Sequence, residues 1–559
     1  MDLNVILQMI FNTAGGLGLF LLGMKNMSEG MQAVAGNRLR KLISAVTNNR
    51  LIACGVGAFV TCLIQSSSVT TVMLVGFVNA GLMTLTQSIG VILGADIGTT
   101  ITGWILALNI GKYGLPLLGI SAIIFLFSSK EKLRYTAMLF LGLGMVFFGL
   151  ELMKNGFRPL RNAPEFITWF SKFNPATFMG LIKCVLVGAS VTAIIQSSSA
   201  TIGITMGLAA TGVIDFRTAA ALVLGQNVGT TITAYISSLG TSTNAKRTAY
   251  AHIIIKIAGV CIIVPVFGWY IELVGDFLGV DPGMCVVEDG VNKYPYVLRG
   301  IAFAHTGFNI FIAAIFLPFI TYLGKMLYRF FPDKAEKEKP HLTFLDIRMY
   351  DAPAIGIQQS WSEVVRMSEG VQKMLSWIKN IIVAEDRDEA LEKKIFHREE
   401  VLDIVQKEIL VFLSNILSGT VPHEVMVEGR KQIRMADEYE TISDYIVNIL
   451  KLSLKINKEK LKISDEGKEE IMKLHENVSS YIDMVNESVI QKNPMLSKAR
   501  TQGDAITHLM KECRSKHLSR VEEKRISPQK SLIFTDMLNS YRRIKDHALN
   551  IAEVLAGEK

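Results

Sequence analysis

Cysteine is scarce, and none of the six shows a CxxC or other metal-ligand spacing. Cys54, Cys62, Cys184 and Cys261 fall in apolar stretches, where small buried hydrophobes in a reducing compartment are expected; Cys285 falls in a polar one. Charge is scarce as well, at 19% of residues against 50% hydrophobic, with a mean hydropathy of +0.34. That balance excludes an ordinary soluble protein, and the charge that remains excludes a wholly embedded one. Acid is rarest in the first 330 positions, which hold 12 of the 50 Asp and Glu but 22 of the 58 Lys and Arg. Much of the basic excess lies in breaks between apolar runs, at residues 38–41, 130–134 and 154–161, which points to cytoplasmic loops and away from nucleic acid. No Ser-His-Asp arrangement, P-loop or zinc motif is present, so the serines have no activating base and an enzyme is not expected. His252 and His305, in apolar sequence without a neighbour at metal spacing, read as structural histidines.

What is present divides near residue 331, where charge density rises about threefold. Residues 1–330 read as an all-α, polytopic membrane domain. Residues 5–24 form a retained span, because they lack a basic leader and a small-residue cleavage site. The apolar runs 51–64, 69–82, 182–195 and 200–214 are each shorter than the roughly 20 residues that cross a bilayer as one helix. Joined in pairs at a polar quartet, they read as re-entrant hairpins. Gly- and Thr-interrupted spans follow each pair, at 87–108 and 218–239, and further spans are expected at 115–127, 135–153, 249–274 and 298–327. The acidic stretch 275–296 reads as an outside loop. Residues 331–344 are a linker of alternating Lys and Glu, and 345–559 show the period of long amphipathic helices, a soluble bundle.

The apolar half is an internal repeat, with copies at about 10–108 and 135–240. A shift of 131 positions superposes Gln65-Ser66-Ser67-Ser68 on Gln196-Ser197-Ser198-Ser199. The same shift lays Gly94-Ala-Asp96-Ile-Gly98-Thr99-Thr100 on Gly225-Gln-Asn227-Val-Gly229-Thr230-Thr231. Unpaired polar side chains in an apolar medium cost about 2–7 kcal/mol each, so the quartets need partners, water or a ligand. Half-helix ends supply N–H groups and partial positive charge, so an oxyanion can be held there without a lysine, while hydroxyl and carbonyl oxygens suit sodium. The plainer reading, small residues that merely let helices pack, competes for a single Ser-Ser pair and loses ground to two matched copies. Asp96, opposite Asn227, is an intramembrane carboxylate suited to cation or proton coupling. The bundle repeats too: Tyr439-Glu440-Thr-Ile-Ser-Asp444 matches Tyr541-Arg542-Arg-Ile-Lys-Asp546 at a shift of 102.

Paired Gln-Ser-Ser-Ser motifs, each followed by a Gly-x-x-x-Gly-Thr-Thr segment, resemble the type II sodium-phosphate cotransporter family. The resemblance implies two inverted repeats and a phosphate site between the hairpins, with sodium as the coupling ion and no other cofactor. Carried over by position, its ligand residues are Gln65 to Ser68 and Gln196 to Ser199, supported by Thr99, Thr100, Asn227, Thr230 and Thr231. The C-terminal bundle is similar to PhoU, a phosphate-signalling protein. That likeness makes Glu440, Asp444 and Asp546 metal candidates and implies regulation of flux from the cytoplasmic side. The expectation is sodium-coupled phosphate transport, as uptake or efflux by alternating access, in a bacterial inner membrane. The partners would be inorganic phosphate, sodium ions and the lipid bilayer, with a homodimer compatible. A phosphate-sensing membrane signalling protein and an anion channel are the competing readings.

Overall fold

The computed structural model describes residues 3–35, 49–79, 83–108, 111–162, 173–239, 241–288, 291–332, 353–383, 387–419, 421–458, 464–523 and 526–558. These fall into two compact units whose boundary in the chain lies between residues 332 and 356. The expected linker, residues 331–344, falls mostly outside the described residues.

Among the described residues of the first unit, six stretches are long and apolar enough to cross a membrane: Asn4–Val34, Leu85–Ala107, Glu131–Leu160, Phe178–Ile195, Thr243–Leu278 and Val297–Phe330. Four shorter apolar helices accompany them: Arg50–Ile64, Ser67–Asn79, Tyr113–Phe127 and Ser198–Ala210. Both quartets sit at the joint of a helical hairpin, Arg50–Ile64 with Ser67–Asn79 and Phe178–Ile195 with Ser198–Ala210. The second hairpin's first arm is longer than its apolar run suggests, because Thr177 caps it through the N–H of Gly180 and recruits four residues before Ile182. The interrupted spans break where expected, Leu85–Gly98 giving way to Ile101–Ala107 and Phe216–Gly229 to Thr231–Ser238.

The repeat glycines explain how each hairpin docks. A Cβ on Gly94 would fall 1.8 Å from the carbonyl oxygen of Cys54, and one on Gly225 would fall 1.9 Å from that of Val185. At Gly98 and Gly229 the same test gives 2.3 Å from the oxygens of Ala58 and Ala189. The Gly-x-x-x-Gly segments are therefore the faces on which the hairpins' first arms lie backbone to backbone. The acidic stretch departs from the all-α expectation: Val286–Glu288 pairs antiparallel with Val291–Lys293, Val286 opposite Lys293.

Near the end of the first unit, Arg247 is fully buried. Its guanidinium lies 4.1 Å over the Tyr328 ring, and its Nε donates to the carbonyl of Phe331 at 2.9 Å. The Phe331 ring stacks on Tyr250 with centroids 4.3 Å apart.

Among its described residues the second unit has six helices: Pro353–Val383, Glu389–Leu417, His423–Lys458, Asp465–Gln491, Leu496–Glu522 and Pro528–Ala556. The third and sixth carry the duplicated motif and pack against each other. The contact is reciprocal: Asn448 donates to Ser540 and Asn550 to Glu438, each at 3.0 Å, and these are equivalent pairs under the shift of 102. The paired tyrosines are fully buried, Tyr439 donating to Asn486 at 2.9 Å and Tyr541 bonded to His475 at 3.0 Å.

Candidate functional site

Each hairpin turns through a glutamine in left-handed backbone, φ 58° and ψ 20° at Gln65, φ 57° and ψ 24° at Gln196. A threonine pair ties the arms together above each turn, Thr61 to Thr70 at 3.0 Å and Thr192 to Thr201 at 3.1 Å. The first serine of each quartet caps the second arm: Ser66 Oγ accepts from the Val69 N–H at 3.3 Å, and Ser197 Oγ from the Ala200 N–H at 3.2 Å. That leaves the next two serines of each quartet in the first turn of a helix, where backbone N–H groups have no partner within the helix.

The two turns meet. Gln65, Ser66 and Ser68 of one quartet and Gln196, Ser197, Ser198 and Ser199 of the other line one cavity of about 200 Å³, closed on another side by Leu21, Met24, Lys25 and Ser28 of the N-terminal helix. One water needs roughly 10–15 Å³ of such space, so there is room for a tetrahedral anion with water around it. Two helix N-termini and serine hydroxyls give the cavity a donor-rich wall, and the Lys25 ammonium at its rim is paired with Glu29 at 3.8 Å.

Ser198 also lines a second, tighter space of about 10 Å³, together with Ser67, Asp96, Thr99, Gln226, Asn227, Thr230, Lys256 and His305. Here the structure adds what sequence reasoning missed. Lys256, 2% exposed, lies 3.1 Å from Asp96 Oδ1 and donates to Asn227 Oδ1 at 3.0 Å and Asn309 Oδ1 at 2.6 Å. His252 Nε2 is 3.3 Å from the same Asp96 oxygen. Two lysines that the anion-site expectation did not use thus stand nearby, each paired with a carboxylate: Lys25 with Glu29 at 3.8 Å and Lys256 with Asp96 at 3.1 Å. His252 gains a carboxylate partner that its sequence neighbours do not offer.

Not every expected ligand faces the space. Thr100 and Thr231 line neither cavity; their hydroxyls bond back to the carbonyls of Ile97 and Val228, each at 2.8 Å. Thr230 also bonds within its helix, to the Gln226 carbonyl at 2.9 Å, while Gln226 reaches Thr205 at 2.7 Å. Gln65 is buried with both ends of its amide engaged, donating to the Cys62 carbonyl at 2.6 Å and accepting from Thr102 at 3.0 Å. It shapes the turn more than it offers a ligand, whereas Gln196 is exposed.

In the second unit the metal candidates have different partners. Glu440 and Asp444 face Glu399 and Asp403, and burial followed by the neighbouring Asp444 charge pushes the Glu399 and Glu440 carboxyls up. Asp546 instead pairs with Arg542 at 3.7 Å and with Lys545. Among the described residues no three His, Cys, Asp or Glu side chains are grouped to hold a metal ion. The one-turn carboxylate spacing is real, but the second copy's basic neighbours neutralise it.

Residues 19–155 and 168–275 match the Na+/Pi-cotransporter family, and residues 364–453 match the PhoU domain. A Salmonella typhimurium protein named "Putative inorganic phosphate export protein YjbB" is 24% identical over 521 residues, 93% of this chain and 89% of that one. The Bacillus subtilis "Uncharacterized protein YqeW" is 30% identical over 315 residues, 56% of this chain and 96% of that one. The human "Sodium-dependent phosphate transport protein 2B" is 36% identical over 96 residues, 17% of this chain and 14% of that one. No solved structure matches. With its membrane-length apolar helices, this is a multi-pass membrane protein. The chain belongs to the Na+/Pi-cotransporter family and carries a PhoU domain in its C-terminal part.

Proposed function

We propose that this protein moves inorganic phosphate across the cytoplasmic membrane, coupled to sodium, with the two hairpins as halves of an inverted repeat that rock about the shared cavity. The observation that carries the reading is the convergence of both serine quartets on one polar space of about 200 Å³. Phosphate is doubly charged for much of the physiological range, and taking such an ion through a low-dielectric interior is costly unless cations travel with it. Hydroxyls and amides bind the anion without the irreversibility of a fully paired guanidinium clamp, which suits a ligand that must leave again. The S. typhimurium relative's name speaks of export; in a coupled carrier the combined gradients set the direction, so both directions use the same site. The PhoU domain is the regulatory part, acting on the rate and not on the binding of phosphate.

The test is flux in vesicles containing the purified full chain, with sodium, lithium or protons as the only gradient. Sodium-driven accumulation of phosphate against its own gradient supports the reading. Dissipative flux without coupling indicates an anion channel, and binding without flux a sensor.

A further inference from the structure

Buried opposite charges beside a cavity need an explanation, since removing one partner of such a pair typically costs several kcal/mol. The sequence offers a first clue. Ala251-His252-Ile-Ile-Ile-Lys256 and Ala304-His305-Thr-Gly-Phe-Asn309 share an Ala-His pair that puts Lys256 and Asn309 at the same spacing, and Asp96 aligns with Asn227 at the repeat shift of 131. In each pair one position is a neutral amide, Asn227 or Asn309, and the other is charged, Asp96 or Lys256.

All four groups meet. Around Lys256 Nζ stand three side-chain oxygens, Asp96 Oδ1 at 3.1 Å, Asn227 Oδ1 at 3.0 Å and Asn309 Oδ1 at 2.6 Å. The two amides are aimed from behind, because Asn227 Nδ2 donates to the Val223 carbonyl and Asn309 Nδ2 to the His305 carbonyl, each at 2.9 Å. Asp96 Oδ2, in a residue only 4% exposed, has no hydrogen-bond partner among the described residues and remains available as a further ligand. One carboxylate and two carbonyl oxygens converging on one point form the donor set of a small hard cation. The helices that present them, Leu85–Gly98, Phe216–Gly229, Thr243–Ile263 and Val297–Phe316, pack on one another here.

We propose that the Lys256 ammonium is a tethered cation seated in a sodium-type site built by Asp96, Asn227 and Asn309, so that the protein itself carries one positive charge that would otherwise be taken from solution. The site stands on its geometry; its meaning for coupling rests on the transport reading above. The tether fixes occupancy at one and lowers by one the number of sodium ions needed per phosphate.

The experiment counts sodium ions bound per chain, by equilibrium dialysis of the detergent-purified full protein with radioactive sodium, in wild type, Lys256→Met and Asp96→Asn/Lys256→Met. The expected result is one more sodium bound in Lys256→Met than in wild type, with the gain cancelled in the double variant. An unchanged count in Lys256→Met, or a gain that survives Asp96→Asn, overturns the proposal. Thermal melting of Lys256→Met covers a folding defect: sodium is expected to restore the wild-type melting temperature where choline does not. A variant that stays unfolded at every sodium concentration overturns the proposal as well. Because the count involves no flux, its failure is distinguishable from a failure of the transport reading.

Discussion

Ser198 is the one quartet residue on the walls of both the larger and the smaller cavity. A hydrogen bond to a charged group is worth about 1.5–3 kcal/mol. Ser198→Ala is therefore expected to weaken phosphate binding by roughly tenfold to a hundredfold, read as the half-saturation concentration for flux. Thr100→Ala and Thr231→Ala, whose hydroxyls bond to their own helices, should leave that concentration nearly unchanged. The quartets were legible in the sequence because hydrogen-bonding side chains in an apolar run stand out. Which threonine of each Thr-Thr pair faces the cavity was not, since neighbours on a helix point about 100° apart and the sequence carries no mark of the inward direction. Lys256 escaped notice for a different reason: its partners lie on three other helices, so nothing beside it in the chain announces a carboxylate. The matching Ala-His segments were the available signal.

The hairpins are held by their glycine seams and their turns, and each makes a different demand. Gly94→Ala and Gly225→Ala place a methyl group within 2 Å of a backbone oxygen, which the first arm cannot yield without moving as a whole. Overpacking of this kind costs about 1–3 kcal/mol or more, so both variants are expected to lower the melting temperature and the yield of folded protein. Gly55→Ala, with nothing within 4 Å of the added atom, is the control. At the turns, left-handed backbone costs a side-chain-bearing residue on the order of 1 kcal/mol, and glycine is the usual occupant. Gln196 is exposed there, so Gln196→Gly should fold as well as the parent while losing phosphate flux; full flux would show that its amide is no ligand. The sequence revealed the hairpins through run length and repetition. The small strand pair at Val286–Lys293 was not legible, because two three-residue strands are too short to express an alternating period.

The two-unit organisation could be read from charge density alone, since water-facing helices need polar outer surfaces and lipid-facing ones cannot have them. Its pH response could not, because it depends on which carboxylate is buried. Glu363 in the second unit is 2% exposed with Oε1 unpartnered, and burial pushes its carboxyl up to about 8 from 4.5. The folded state therefore holds a proton that the unfolded chain has lost between those values. The resulting stability is complete below 4.5 and is lost as the pH rises through about 8. Hydrogen exchange in the full chain should show this unit loosening across that window, and Glu363→Gln should flatten the response.

The clamp on Phe331 acts at the same scale. The helix that holds it by Arg247 also bears Lys256 nine residues along, about 13 Å of stiff rod. On the proposed regulatory reading, a displacement of Phe331 would be passed along this helix toward the charged cluster behind the cavity. Arg247→Gln slackens that lever, and flux measured with and without the C-terminal domain should then differ less than it does in the parent.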